Sequence, residues 1–380
     1  MAIREDELSE VAVSSTGKAP EGPPPRSLSI FKKRWRKFRA MKRGYYSFLV
    51  VLGTYLLSFI LPLLINNKPL VLRYEGAYYF PLLTYTDASE FGEGAFGEPD
   101  YRDLKERFAA EDDGNWMVMP FYPYSANESL LELDGVPPHA PSRDHPFGTD
   151  NRGRDVFARL AYGFNISMSF ALLVVVFSYS AGIAVGAAIG YFGGRLDILG
   201  QRAIEIWSSL PFLYTIIIVS SILVPIYIPG RTQLLQPSFW LLIIIMSAFG
   251  WMGITYYIRG EFYREKAKDY VGAAITMGAS ESAIMFKHIL PNALTPVVSF
   301  APFAIVGNIS ALVALDFLGF GLPAPTPSWG ELIGQGMEYL TKWWLVFLPL
   351  GAVFLTLLLI VFVGEAIREA FDPKEYSRLR

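Results

Sequence analysis

Long runs without Asp, Glu, Lys or Arg alternate along this chain with shorter segments dense in them. Six of the uncharged runs reach the roughly 20 residues that an α-helix needs to cross a hydrocarbon core of about 30 Å. They are 45–65, 166–192, 206–228, 232–258, 289–315 and 343–364. A soluble core helix seldom stays uncharged beyond about 14 residues. The pattern therefore predicts an all-α, polytopic integral membrane protein with six transmembrane helices. Pro211, Pro225, Pro296, Pro302 and Pro349 fall within these runs. Each frees a backbone carbonyl that a neighbouring helix must satisfy.

Composition supports this reading: 52% of residues are hydrophobic and only 18% charged, against about a quarter charged in soluble domains. With no cysteine, disulfides, thiolate metal sites and cysteine nucleophiles are excluded together. His139, His145 and His288 form no metal motif, so no metal site is expected. Gly-x-x-x-x-Gly-Lys-Ser/Thr, His-Glu-x-x-His and Gly-x-Ser-x-Gly are all missing, which argues against ATP hydrolysis, metalloproteolysis or esterase chemistry in this chain. No catalytic residue is assigned.

The formal charge of −2 conceals a strong asymmetry. Lys32, Lys33, Arg34, Arg36, Lys37, Arg39, Lys42 and Arg43 precede the first run, with no acid from 27 to 44. By the positive-inside rule this end stays in the cytoplasm. A basic cluster abutting a span reads as a topological anchor, and no nucleic acid partner is expected. Alternation then places 66–165 outside, together with 229–231 and 316–342. The first of these carries Glu90, Glu93, Glu98, Asp100, Asp103, Glu106, Glu111, Asp112 and Asp113. The loops at 193–205 and 259–288 and the tail 365–380 fall inside with most of the remaining cations, so both termini are cytoplasmic. Residues 1–26 read as a disordered tail and 27–44 as a basic juxtamembrane segment. Asp316 and Glu205 sit at run ends, where ionised groups stay hydrated.

Two patterns suggest contacts. Ser178, Gly182, Gly186 and Gly190 share one helical face, where small residues let another helix come close. That helix belongs either to this chain or to a partner subunit. Between the fourth and fifth runs, residues 269–292 read as a short helix, a turn at Gly278 and a second helix that Pro291 stops. Gly278 takes positive φ without steric cost, and Ser280 with Glu281 suits a helix start. Ala273 and Ala274 flatten one face, while Ile275, Met277, Ile284, Met285 and Phe286 supply apolar knobs. Such a helix-turn-helix is shaped to sit in a groove of another protein.

Gly272-Ala273-Ala274, Gly278 and His288-Ile289-Leu290-Pro291 resemble the EAA coupling loop of ABC importer permeases, with Gly272 where that family usually has Glu. His145-Pro-Phe-Gly148-Thr149-Asp150-Asn-Arg-Gly153-Arg154-Asp155 resembles a signature of the dipeptide/oligopeptide/nickel permease family. Residues 190–197, 317–322, 325–330 and 365–373 are similar to further motifs of that family, in the same order. Asn66-Asn67-Lys68-Pro69-Leu70, Arg73-Tyr74-Glu75-Gly76 and Tyr78-Tyr79-Phe80-Pro81-Leu82 resemble its Yej-type branch, whose members import oligopeptides and the peptide antibiotic microcin C.

The resemblance implies a type I ABC importer permease fold in the bacterial inner membrane. Its parts would be the first helix 45–65, a long periplasmic insert 66–165, a five-helix core 166–364 containing the coupling loop 259–291, and the tail 365–380. It implies that Gly272, Ala273, Ala274, Gly278, His288, Leu290 and Pro291 couple to a separate ATPase, which uses ATP and Mg while this chain binds no cofactor. The implied partners are a second homologous permease, the ATPase, a periplasmic solute-binding protein, the peptide substrate and the lipid bilayer. Dipeptide or nickel import stays open within the family. An ion-coupled secondary transporter would need ionisable residues near mid-membrane, and the six runs contain none. Asp150, Arg154 and Asp155 read as a salt-bridged structural turn ahead of the second helix rather than as substrate ligands.

Overall fold

A computed structural model describes residues 30–94, 97–111, 113–223 and 238–371. The expected tail 1–26, Pro225, the turn 229–231, Asp112 and residues 372–380 lie outside the described residues. The fold is mostly helical. Among the described residues, three helices are long and apolar enough to cross a membrane unaided: α5 (Val156–Phe192), α13 (Thr295–Phe317) and α15 (Trp344–Phe371).

Two more expected spans are broken. α6 (Gly194–Ser208) meets α7 (Phe212–Leu223) at a 74° bend, and α8 (Phe239–Gly250) meets α9 (Met252–Lys266) at 44°. Pro211 lies between α6 and α7, where it cannot donate to the ladder, and Gly250 ends α8. Counting each bent pair as one span raises the three to as many as five among the described residues. The first uncharged run divides into α2 (Lys42–Ser58) and the four-residue α3 (Leu61–Leu64), which has Pro62 in its first turn. α1 (Ile30–Ala40) precedes it.

α5 starts at Val156, not at residue 166, because Asp155 caps it: the Ala158 N–H donates to the Asp155 carboxylate at 2.8 Å. This cap satisfies a donor that the helix start leaves unpaired. α5 is the spine of the molecule. Its Gly182, Gly186 and Gly190 face α9 of the same chain. A Cβ at these positions would lie 2.6 Å from the Trp251 carbonyl, 2.7 Å from that of Thr255 and 2.9 Å from that of Arg259, respectively. Only hydrogen at Cα lets the two backbones meet here.

The segment between α3 and α5 departs from an all-α reading. β1 (Val71–Tyr74) pairs antiparallel with β2 (Ala77–Tyr79) and with β3 (Trp116–Val118), in the order β2-β1-β3. Glu75 and Gly76 form the two-residue hairpin with φ of 48° and 83°, the twist that such hairpins require. One sheet face and α4 (Tyr101–Glu111) enclose Leu72, Phe91, Tyr101, Leu104 and Phe108, so this segment carries a small core of its own. Some of its acids are paired rather than solvated: Arg102 meets Asp100, Glu128 and Glu132, Lys68 meets Glu98, and Arg107 meets Glu93.

Candidate functional site

The two ends of α5 carry different chemistry. At its start, Asp150 closes a turn by accepting from the Arg152 and Arg154 N–H groups, both at 2.9 Å. Arg154 returns Nε to the same carboxylate at 2.7 Å and gives Nη2 to Glu331 at 2.9 Å. Arg159, 0% exposed, donates to the other Glu331 oxygen and to the Ala126 carbonyl at 3.0 Å. Glu331 lies on α14 (Trp329–Glu338), between α13 and α15. Burial works against the Arg154 charge, but Asp150 and Glu331 outweigh it and hold the guanidinium above its ordinary pKa.

Beside this network, the Asp155 carboxylate also accepts from the Tyr122 hydroxyl at 2.6 Å and meets His145 Nδ1 at 2.9 Å. Burial first, and then the bond to Asp155, push the Tyr122 pKa up. Gly148 accepts from the Val156 N–H at 3.1 Å, and the Gly153 N–H donates to Asp150 at 3.0 Å. Thr149 takes the Trp344 indole N–H at 3.1 Å and, through its hydroxyl, the His139 N–H at 2.8 Å. The six signature residues thus build the entry to α5 and tie it to α14 and α15.

Asp316 is not a hydrated span end. It accepts from the Leu322 N–H at 2.7 Å and the Ser328 hydroxyl at 2.5 Å, folding 317–328 back toward α5. Trp329 then donates to the Leu160 carbonyl at 3.0 Å. Glu205 remains near the surface, paired with Arg202 at 2.6 Å.

At the far end, α5 turns into α6 through Gly193 and Gly194. The motif residue Asp197 there accepts from Arg259 Nη2 at 2.7 Å and from the Tyr263 hydroxyl at 2.8 Å. Lys266 donates to the Tyr191 carbonyl at 2.7 Å. Just beyond α9 comes the loop of α10 (Asp269–Thr276), α11 (Glu281–Ala283), a π-helical stretch Ile284–Ile289 and α12 (Leu290–Ala293). Gly278, at φ 80°, ends α10, and the Ala279 N–H reaches back to the Ala274 carbonyl at 3.0 Å. This is the left-handed helix stop that glycine permits.

The second arm differs from expectation. Pro291 does not stop it; the proline sits in the first turn of α12, directly after the π-helical stretch. The wider winding accommodates a residue that lacks an N–H and would clash with an α-helical carbonyl. Nor do the alanines share an outward face. Ala274, Val271, Ile284 and Ile289 are buried, whereas Gly272 and Ala273 are exposed. The outward apolar side chains are Ile275 at 56%, Met277 at 79% and Phe286 at 61% exposure. His288, Leu290 and Pro291 lie on the second arm, with His288 and Leu290 half-buried.

One buried carboxylate, absent from the sequence reading, ties this loop to the bundle. Glu265, 2% exposed in the last turn of α9, accepts from Lys268 Nζ at 2.7 Å and the Tyr270 hydroxyl at 2.8 Å. Asn292 donates to the Tyr270 hydroxyl at 3.3 Å and to the His288 carbonyl at 3.2 Å, closing the second arm onto the first. Burial and the bond to Glu265 raise the Tyr270 pKa. Among the described residues no three His, Asp or Glu side chains converge to hold a metal ion. An apolar groove of about 680 Å³ opens between α2, α5 and α15, lined by side chains such as Leu57, Leu61, Phe157 and Phe347. Such a lining suits lipid tails or an apolar helix rather than a peptide's amides.

An anchored loop with an apolar exterior, set beyond a bundle of apolar helices, is the form of a membrane component that works with another protein. The chain belongs to the family of binding-protein-dependent transport system inner membrane components, whose model matches residues 182–375. It is 40% identical to the inner membrane ABC transporter permease protein YejE of Escherichia coli (strain K12), over 91% of this chain and 98% of that protein. It is 37% identical to the peptidoglycan transport system permease protein YejE of Agrobacterium fabrum, over 91% and 94% of the two chains. The dipeptide transport system permease protein DppC of Bacillus subtilis is 32% identical over 68% of this chain and 77% of its own. The chain is thus a multi-pass inner-membrane transport component.

Proposed function

We propose that this chain is one of two homologous permease subunits of an ATP-driven importer that carries oligopeptides, peptide antibiotics of the microcin C kind included, across the inner membrane. The observation that carries the reading is the loop 269–293. It presents Ile275, Met277 and Phe286 outward while Glu265, Tyr270 and Asn292 fasten it to α9. An exposed apolar surface on a rigid mount is what a docking element needs. The occupant is a separate ATPase subunit, which binds and hydrolyses ATP with Mg.

Closure of the ATPase pair moves the loop. The Glu265 clasp and the glycine face shared by α9 and α5 carry that movement into the spans as one body. Alternating access then needs two global states biased by nucleotide and substrate, with no chemistry in this chain. The eight cations around α1 favour a cytoplasmic N-terminus. Six spans, with the bent pairs counted singly and α2 with α3 as the first, return the loop and the C-terminus to that side. The sheet-bearing insert then faces the periplasm, where a solute-binding protein delivers cargo to the outer mouth. The names of the relatives favour peptides; dipeptide or nickel import is the alternative within the family.

Co-purification in mild detergent tests this. The native chain brings down an ATPase subunit, and Met277→Asp with Phe286→Asp releases it while the permease stays folded. If no ATPase accompanies even the native chain, the importer reading fails and an ion-coupled carrier takes its place.

A further inference from the structure

α1 does not continue into α2. The helix breaks at Met41, whose backbone has φ −82° and ψ 83°. The rings of Phe38 and Phe48 lie 5.7 Å apart and those of Trp35 and Phe48 6.4 Å apart. In one continuous helix, residues ten positions apart would be separated by about 15 Å. α1 therefore folds across the end of the bundle. Phe38, 5% exposed, packs on Ala366 and Ala370 of α15, and Arg34 lies 4.4 Å over the Phe371 ring. Lys33, Arg36, Arg39, Lys42 and Arg43 are exposed, and Trp35 is 42% exposed beside them.

We propose that α1 is a binding surface for anionic phospholipid headgroups. It lies where two apolar helices, α2 and α15, end, which is the boundary between hydrocarbon and water. A short helix that packs Phe38 inward and turns Lys33, Arg36 and Arg39 outward, with Trp35 exposed among them, is the form of an interfacial, lipid-binding helix. Tryptophan favours the same depth. Glu365 and Glu369 on α15 are exposed nearby, with Arg368 between them, but the cations of α1 and its flanks outnumber them. An orientation signal requires only positive charge near a span. It does not require the bend at Met41, which lays the outward cations and Trp35 of α1 across the end of the bundle, where headgroups lie. The inference does not depend on what the protein carries.

Native mass spectrometry of the full-length chain, delipidated and then offered equal amounts of phosphatidylglycerol and phosphatidylcholine, tests it. The chain retains phosphatidylglycerol preferentially. Replacing Lys33, Arg36, Arg39, Lys42 and Arg43 by Gln reduces that preference, by up to about fivefold for each cation near the headgroups. Trp35→Phe preserves it. Raising the ionic strength collapses the preference of the native chain, a readout that needs no variant. Equal retention of the two lipids by the native chain, a preference insensitive to salt, or one unchanged in the Gln variant overturns the proposal.

Discussion

The start of α5 and the loop after α9 mark opposite ends of one spine, and they invert the usual placement of polar and apolar groups. At the start, Asp150, Arg154 and Arg159 are buried and share Glu331 between two guanidinium groups. At the loop, Ile275, Met277 and Phe286 face outward, and one buried carboxylate, Glu265, holds the mount. Buried charge survives only when fully paired, and then it fixes a geometry. Exposed apolar surface costs little on folding and becomes useful when something covers it. The first end is built to stay as it is; the second is built to be met.

Breaking the first end has the larger effect on stability. Glu331→Ala leaves two buried guanidinium groups with Asp150 as their one remaining carboxylate, at a cost of about 3–5 kcal/mol. We expect loss of the folded peak in thermal gel filtration. Arg159→Met with Glu331→Met recovers much of it, whereas an unchanged profile in Glu331→Ala would show the network to be idle. Gly186→Val, between the two ends, drives a side chain toward the Thr255 carbonyl and costs about 1–3 kcal/mol. The same assay reads it.

The loop end behaves otherwise. Tyr270→Phe removes the bond to Glu265 and costs about 1 kcal/mol. Its informative readout in proteoliposomes is substrate moved per ATP hydrolysed, which falls while the ATPase subunit stays bound. Met277→Ala sits at the bottom of the series, within about 0.5 kcal/mol in stability. Even so, it weakens retention of the ATPase.

Three of the expected spans, and two more as bent pairs, were legible because lipid forbids charge over some 20 residues, a constraint written locally in the chain. Their bends were less so, since Pro211 marks a break but not its angle. Arg159 escaped notice because it lies one turn inside α5, ahead of the uncharged run, and its partner Glu331 is 172 residues away. No local pattern announces such a pair. Glu265 was lost among the charges of the loop, where nothing in the sequence separates the one buried carboxylate from its solvated neighbours. The hairpin at Glu75-Gly76 did carry a signal: the β-prone residues Val71, Tyr74, Tyr78 and Tyr79 on either side of a glycine-containing pair. The loop's glycine turn was readable because Gly278 marks a helix stop, whereas which apolar knobs face outward depended on packing against α9.

Because the chain has no cysteine, one introduced thiol reports on one place. Met277→Cys, with Leu131→Cys (Leu131 is 90% exposed in the native chain) as the control in the insert, can be labelled with a maleimide in purified protein with and without the ATPase subunit. Docking at the loop predicts rapid labelling at 277 in the lone permease, strong protection once the ATPase is bound, and no change at 131. Equal labelling at 277 in both states would contradict the account.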